Sequence, residues 1–118
     1  PVGGGLLSGK FRPGTKPEGT RLATNSMYAT RYGEDWVYDV AERFTAKAED
    51  LGVHPVSLAV AWVAAHPAVT APIIGARNTD QLAASLKAVD VAMTPELRAE
   101  IAMLSPEPPP AHDRSEER

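Results

Sequence analysis

Only one stretch of this chain reads as a β-strand, and one strand cannot stand alone. Val69 to Ile74 is short, apolar and rich in β-branched residues, and Gly75 closes it, the pattern of a buried strand. Pro72 lacks an amide donor, so it belongs near the start of the paired segment or where pairing is loose. A lone strand pairs none of its own donors and acceptors. Helical patterns on both sides argue for an α/β sheet covered on both faces, so the sheet must be completed by missing sequence or by another chain.

The flanking patterns are explicit. From Trp36 to Leu51 apolar residues recur every three or four positions at Val37, Val40, Ala41, Phe44, Ala48 and Leu51, with charged residues between them, which predicts an amphipathic helix. Gly52 is placed to end it in the left-handed conformation, and Pro55 suits a first helical turn, where no amide donor is lost. Val56 to Ala65 carries no charge and has Ser57 as its one polar residue, which predicts a helix buried on more than one side and stopped by His66-Pro67. Asn78 with Gln81 three residues later resembles a capping box opening a helix through Leu82, Leu86 and Val89. Thr94-Pro95-Glu96 opens another, carrying Leu97, Ile101 and Leu104. The Pro-rich, charged tail 106–118 is expected to be disordered, which leaves 1–105 as the folded part. No internal repeat is visible.

Composition narrows the function. The 118 residues are 43% hydrophobic and 23% charged, the balance of a soluble globular domain. A net charge of -3 lacks the basic face that a nucleic-acid binder needs to displace counterions from phosphates. With no cysteine there is no disulfide framework, thiolate nucleophile or zinc ribbon, and the cytoplasm is the expected compartment. No leader peptide and no apolar run of about 20 residues is found, so no membrane role is expected. The chain opens at Pro1 inside loop chemistry, without an initiator methionine or a leading element, and is expected to be a piece of a longer protein.

Two segments could carry chemistry. The first 33 residues concentrate Gly3, Gly4, Gly5, Gly9, Gly14, Gly19 and Gly33 among Lys10, Arg12, Lys16 and Arg21, a loop long enough to suggest a lid or binding role. Glycines let backbone amides approach a phosphate, and Lys10 supplies a point charge. Gly4 to Gly9 followed by Lys10 has the gap of a Walker loop, but Phe11 stands where its hydroxyl residue should be. The second segment, Ile73 to Gln81, runs from the strand into a helix start with Gly75 at the junction. Free amides, the positive end of the helix dipole and Arg77 make it a candidate anion site. Read as residues alone, each segment could also be a plain turn, the glycine loop more readily than the second.

Taken together, Pro1-Val2-Gly3-Gly4-Gly5-Leu6-Leu7-Ser8-Gly9-Lys10-Phe11, then Ser57-Leu58-Ala59-Val60-Ala61-Trp62-Val63, then Pro72-Ile73-Ile74-Gly75-Ala76-Arg77-Asn78 with Gln81-Leu82 resemble the C-terminal portion of an aldo-keto reductase. The similarity spans about Pro1 to Ser105. It implies an α/β fold, the C-terminal fragment of a TIM (β/α)8 barrel that is mostly helical in isolation, with Pro1 at the exit of the seventh strand and Val69 to Ile74 as the eighth. Such barrels need at least about 200 residues, so this chain cannot close one. The resemblance also implies NADP(H) as cofactor, with the first loop on the pyrophosphate and the second on the adenosine 2'-phosphate. It places cofactor contacts at Pro1, Val2, Gly3, Gly5, Lys10 and Arg21, and at Gly75, Arg77, Gln81 and Ser85, with Gln81 at the adenine. Ala84 and Ser85 replace an acidic residue and an asparagine common there, and His54 replaces a serine common before Pro55.

The activity implied is NADPH-dependent reduction of an aldehyde or ketone, a small-molecule carbonyl substrate. The aspartate, tyrosine, lysine and histidine that catalyse it in that family come from the first half of the barrel, so none is expected here. Tyr28, Tyr32 and Tyr38 match no catalytic motif, and Trp36 and Trp62 read as packing residues. His54, His66 and His112 have neither metal-ligand spacing nor a partner nucleophile. The partner expected is the missing N-terminal barrel half. The alternative is a non-catalytic structural or regulatory module that associates with another chain through its strand edge and uncharged helix.

Overall fold

A computed structural model of the chain describes residues 1–10 and 35–107. Arg21 and most of the tail, from residue 108 on, lie outside the described residues. Within them are four helices: α1 Asp35–Leu51, α2 Pro55–Ala64, α3 Thr79–Leu86 and α4 Pro95–Ala102. A 3-10 turn at Leu6–Ser8 precedes α1, and another at Lys87–Asp90 extends α3.

Each helix begins and ends where local chemistry dictates. α1 buries Tyr38, Ala41, Phe44 and Ala48 along one stripe, and Thr45, also buried, donates its hydroxyl to the Ala41 carbonyl at 3.0 Å. It stops at Gly52, whose φ of 69° a side chain would resist. There Val53 N–H donates to Ala48 O and Gly52 N–H to Glu49 O, the paired bonds of a Schellman cap. His54 then caps α2, its Nδ1 accepting from Val56 N–H at 3.1 Å, with Pro55 in the first turn. The imidazole thus fills the place of the serine hydroxyl. Asn78 caps α3 and Thr94 caps α4, each accepting from the amide three residues on.

α2 forms the centre. Ser57, Leu58, Ala59, Val60 and Ala61 are all buried, and five consecutive residues exceed one helical turn, so every face of this half of the helix is covered. Leu58, Ala59, Phe44, Ala48 and Ile101 form one core cluster; Leu6, Tyr38 and Ala41 form a second, and Leu7 packs against both. α4 is tied back to α1 by Lys47 to Glu100 at 2.7 Å and by Arg43 Nη2 donating to Leu104 O at 3.0 Å. Exposed pairs of this kind add little stability, so the apolar contacts carry the docking.

One expectation is corrected. Val69 to Ile74 forms no ladder, no strand is present among the described residues, and Ile73 is 89% exposed rather than buried. The physical reason is the lack of a strand partner among the described residues: without one alongside, an extended segment forms no ladder and leaves Ile73 uncovered. The described residues are helical, and no helix among them is long and apolar enough to cross a membrane.

Candidate functional site

The first loop is a wound turn held from below. Leu7 N–H donates to Val2 O at 3.0 Å and Leu6 N–H to Gly3 O at 3.3 Å, while Ser8 returns both its amide and its hydroxyl to Gly5 O. Leu6 is buried and Val2 packs on the core, so the turn is pinned by its apolar residues. Between these anchors Gly3, Gly4 and Gly5 have φ of 60°, 69° and 98°. Three left-handed residues in a row are accessible only to glycine at low cost. Their amides meet no acceptor among the described residues. Successive free amides of this kind make a concavity for an anion. Lys10 is exposed at the far end of the loop, and Pro1 is exposed at its start.

The second loop is braced by side chains. Gln81 Oε1 accepts from Arg77 N–H at 2.9 Å, and Gln81 N–H donates to Asn78 Oδ1 at 2.9 Å. The capping-box pattern is therefore present, with the return bond made one residue earlier than usual. Because an amide N–H can only donate, the Gln81 carboxamide must turn its oxygen to the loop, which leaves its NH2 as a donor on the other side. Arg77 and Gly75 are exposed and Gln81 is half-buried. A Cβ at Gly75 would meet nothing within 4 Å, so no described neighbour requires glycine there. Ser85 sits differently from these three: it is buried, 6% exposed.

α2 connects the two loops. A Cβ at Gly9 would come within 3.4 Å of Pro55 Cγ, and Ser57 Oγ donates to the Ala84 carbonyl of α3 at 2.5 Å. Residues two apart at the start of one buried helix thus touch the glycine loop and the helix that follows the arginine loop. Sequence reading missed this tie, although Ser57 as the one polar residue of an apolar helix was its signal. It also missed the stacking of Arg98 on Trp62. Trp62 is half-buried rather than fully core, and Trp36 is 48% exposed. No group of three or more His, Cys, Asp or Glu among the described residues could hold a metal ion.

The sequence pattern of the Aldo/keto reductase family matches residues 1–105. The chain belongs to the aldo/keto reductase family. Among its relatives is an uncharacterized oxidoreductase, YrpG, of Bacillus subtilis, 35% identical over 97 residues, which cover 82% of this chain and 28% of that protein. A probable voltage-gated potassium channel subunit beta of Arabidopsis thaliana is 35% identical over 94 residues, 77% of this chain and 28% of the relative. Protein tas of Escherichia coli is 30% identical over 100 residues, 85% of this chain and 29% of the relative. This aldo/keto reductase chain spans under a third of the length of these curated relatives.

Proposed function

We propose that this chain is the cofactor-holding C-terminal part of a TIM-barrel oxidoreductase that reduces aldehydes or ketones with NADPH, and that it contributes no catalytic residue. The observation that carries the reading is the run Gly3-Gly4-Gly5, three left-handed residues whose amides are free to take a pyrophosphate. The donor set suits the rest of the cofactor. Arg77 and Lys10 are exposed cations for phosphate oxygens, Arg77 as a planar fork and Lys10 as a point charge. Gln81, its oxygen fixed on Arg77 N–H, offers an NH2 toward the base. Pro1, Val2 and Gly3 line the approach to the turn, and open space over Gly75 lets a ligand lie close to the backbone. Ser85 is the weakest of the ten proposed contacts, because a buried hydroxyl on α3 reaches a ligand only if the helix shifts.

When bound, NADPH supplies the hydride for the carbonyl carbon. This chain's residues do the holding: glycine amides and cations neutralise the phosphates, and the Asn78–Gln81–Arg77 brace fixes where the arginine loop stands. The proton donor and its partners lie outside these 118 residues in this reading. Arg77→Ala in the whole protein is expected to weaken NADPH roughly ten- to a hundredfold, the loss of a charge-assisted pair, and to leave NADH unchanged. Fluorescence titration with both cofactors measures it, and an unchanged NADPH affinity removes the 2'-phosphate assignment.

A second reading is a non-catalytic module working in an assembly. The exposure of Ile73, Leu86 and Val89 favours association with a further chain, and a relative bears the name of a channel subunit. Supplying the preceding barrel segment decides between the two. Recovered carbonyl reduction supports the reductase, and a stable inactive oligomer without that segment supports the module.

A further inference from the structure

α3 is held differently from the other helices. Gln81, Ala84, Ser85 and Ala88 recur at three and four residues and make its covered face, whereas Leu82, Leu86 and Val89 are exposed. Small and polar residues thus face α2, against which α3 and the 3-10 turn after it pack. Ser85 is the one fully buried residue of α3, and no residue of α3 or of that turn belongs to either core cluster. Apolar burial therefore does little to fix where this helix stands. A hydrogen bond does it instead. α3 ends at Leu86, so the Ala84 carbonyl is among the last four of the helix, those that no amide of their own helix reaches. Ser57, 2% exposed in α2, donates its hydroxyl to that oxygen at 2.5 Å. Among the described residues this is the hydrogen bond that ties α3 to another helix.

We propose, resting on the NADPH reading above, that Ser57 is a positioning residue for the arginine loop: its bond to Ala84 sets where the first turn of α3 stands, and so where Arg77 and Gln81 meet the cofactor. The path is short. Gln81 and Ala84 share one face and lie about 4.5 Å apart along the helix. Gln81 is also the residue whose Oε1 accepts from Arg77 N–H and whose amide donates to Asn78 Oδ1. A helix that slides at Ala84 carries that brace with it. The glycine loop is held by other contacts, Gly9 beside Pro55 and the turn anchored by Leu6 and Val2, so losing the Ser57 hydroxyl leaves it in place. The loss therefore falls on the part of the cofactor assigned to the arginine loop, the 2'-phosphate, which NADH lacks.

Fluorescence titration of the whole protein with NADPH and with NADH tests this. Ser57→Ala is expected to weaken NADPH about three- to tenfold, the size of one net hydrogen bond, and NADH by less than about twofold. Ser57→Thr keeps the hydroxyl and should stay within about twofold of the parent for both. Val60→Ala removes buried bulk from the same helix but no hydrogen bond, and should move the two cofactors alike. No weakening in Ser57→Ala, equal weakening of NADPH and NADH, or a Ser57→Thr protein as weak as Ser57→Ala overturns the proposal. A split in Val60→Ala as large as that in Ser57→Ala overturns it too, since any loosening of α2 would then do the same. Arg77→Ala in the same titration tells two failures apart. If it weakens NADPH while Ser57→Ala does not, the positioning role alone is wrong; if it also leaves NADPH unchanged, the 2'-phosphate assignment falls and the positioning role falls with it.

Discussion

The two loops differ in what holds them. The glycine loop is anchored by its own apolar residues, with Leu6 buried and Leu7 wedged between both core clusters, and its backbone closes on itself through Leu7 N–H to Val2 O. The arginine loop is approached through Val69–Ile74, which forms no ladder among the described residues and leaves Ile73 in solvent, and its far end is secured by Asn78 and Gln81. A loop built on helices can be ordered by this chain alone. A loop reached through an extended segment without a ladder lacks that support.

That contrast breaks most visibly at the floor the two loops share. Leu58 is fully buried in α2, and Leu58→Ala should cost about 2–5 kcal/mol through lost burial and the cavity left behind. Urea unfolding measures it, and both loops should loosen together in amide exchange. Gly4→Ala should act on one loop only. At φ 69° an added Cβ costs about 1–2 kcal/mol, so the first turn should lose protection while the Asn78 and Gln81 amides keep theirs. Equal loosening of both loops would mean that they are coupled more tightly than through Pro55 and Ser57.

The same contrast explains what could be read in the sequence. Helix ends were legible because caps are local: Gly52, Pro55, Asn78 and Thr94 each act within a few residues of themselves. The glycine loop was legible as a turn, because adjacent glycines take left-handed backbone at low cost, while its chemistry came from the family resemblance. Val69–Ile74 was legible as a strand sequence but not as an unpaired one, since pairing depends on distant partners and none stands among the described residues. Ser57 with Ala84, and Arg98 with Trp62, were hidden for a different reason: they join residues 27 and 36 positions apart, a separation that periodicity cannot see.

Two exposed positions sharpen the comparison further, because they separate what the chain needs from what its ligand or partner needs. Gly75→Ala meets no described neighbour and its backbone is not left-handed, so stability should change by less than about 0.5 kcal/mol. If the proposed cofactor lies against that backbone, the added methyl should still weaken NADPH binding in the whole protein, a split that titration beside urea unfolding reveals. Equal affinity would mean that the ligand keeps its distance from Gly75.

Ile73→Ser has the smallest expected effect on this chain and carries the clearest message about its surroundings. A side chain 89% exposed contributes almost no burial, so urea unfolding of the 118 residues should shift by at most a few tenths of a kcal/mol. In the whole protein the same change should cost about 1.5–3 kcal/mol if the segment is a barrel strand whose Ile73 is covered by neighbours. In the proposed barrel, the difference between the two values measures how much of its sheet closes over this segment. If Ile73→Ser were silent in the whole protein as well, Ile73 would be uncovered there, and the barrel would have to be completed in a different register.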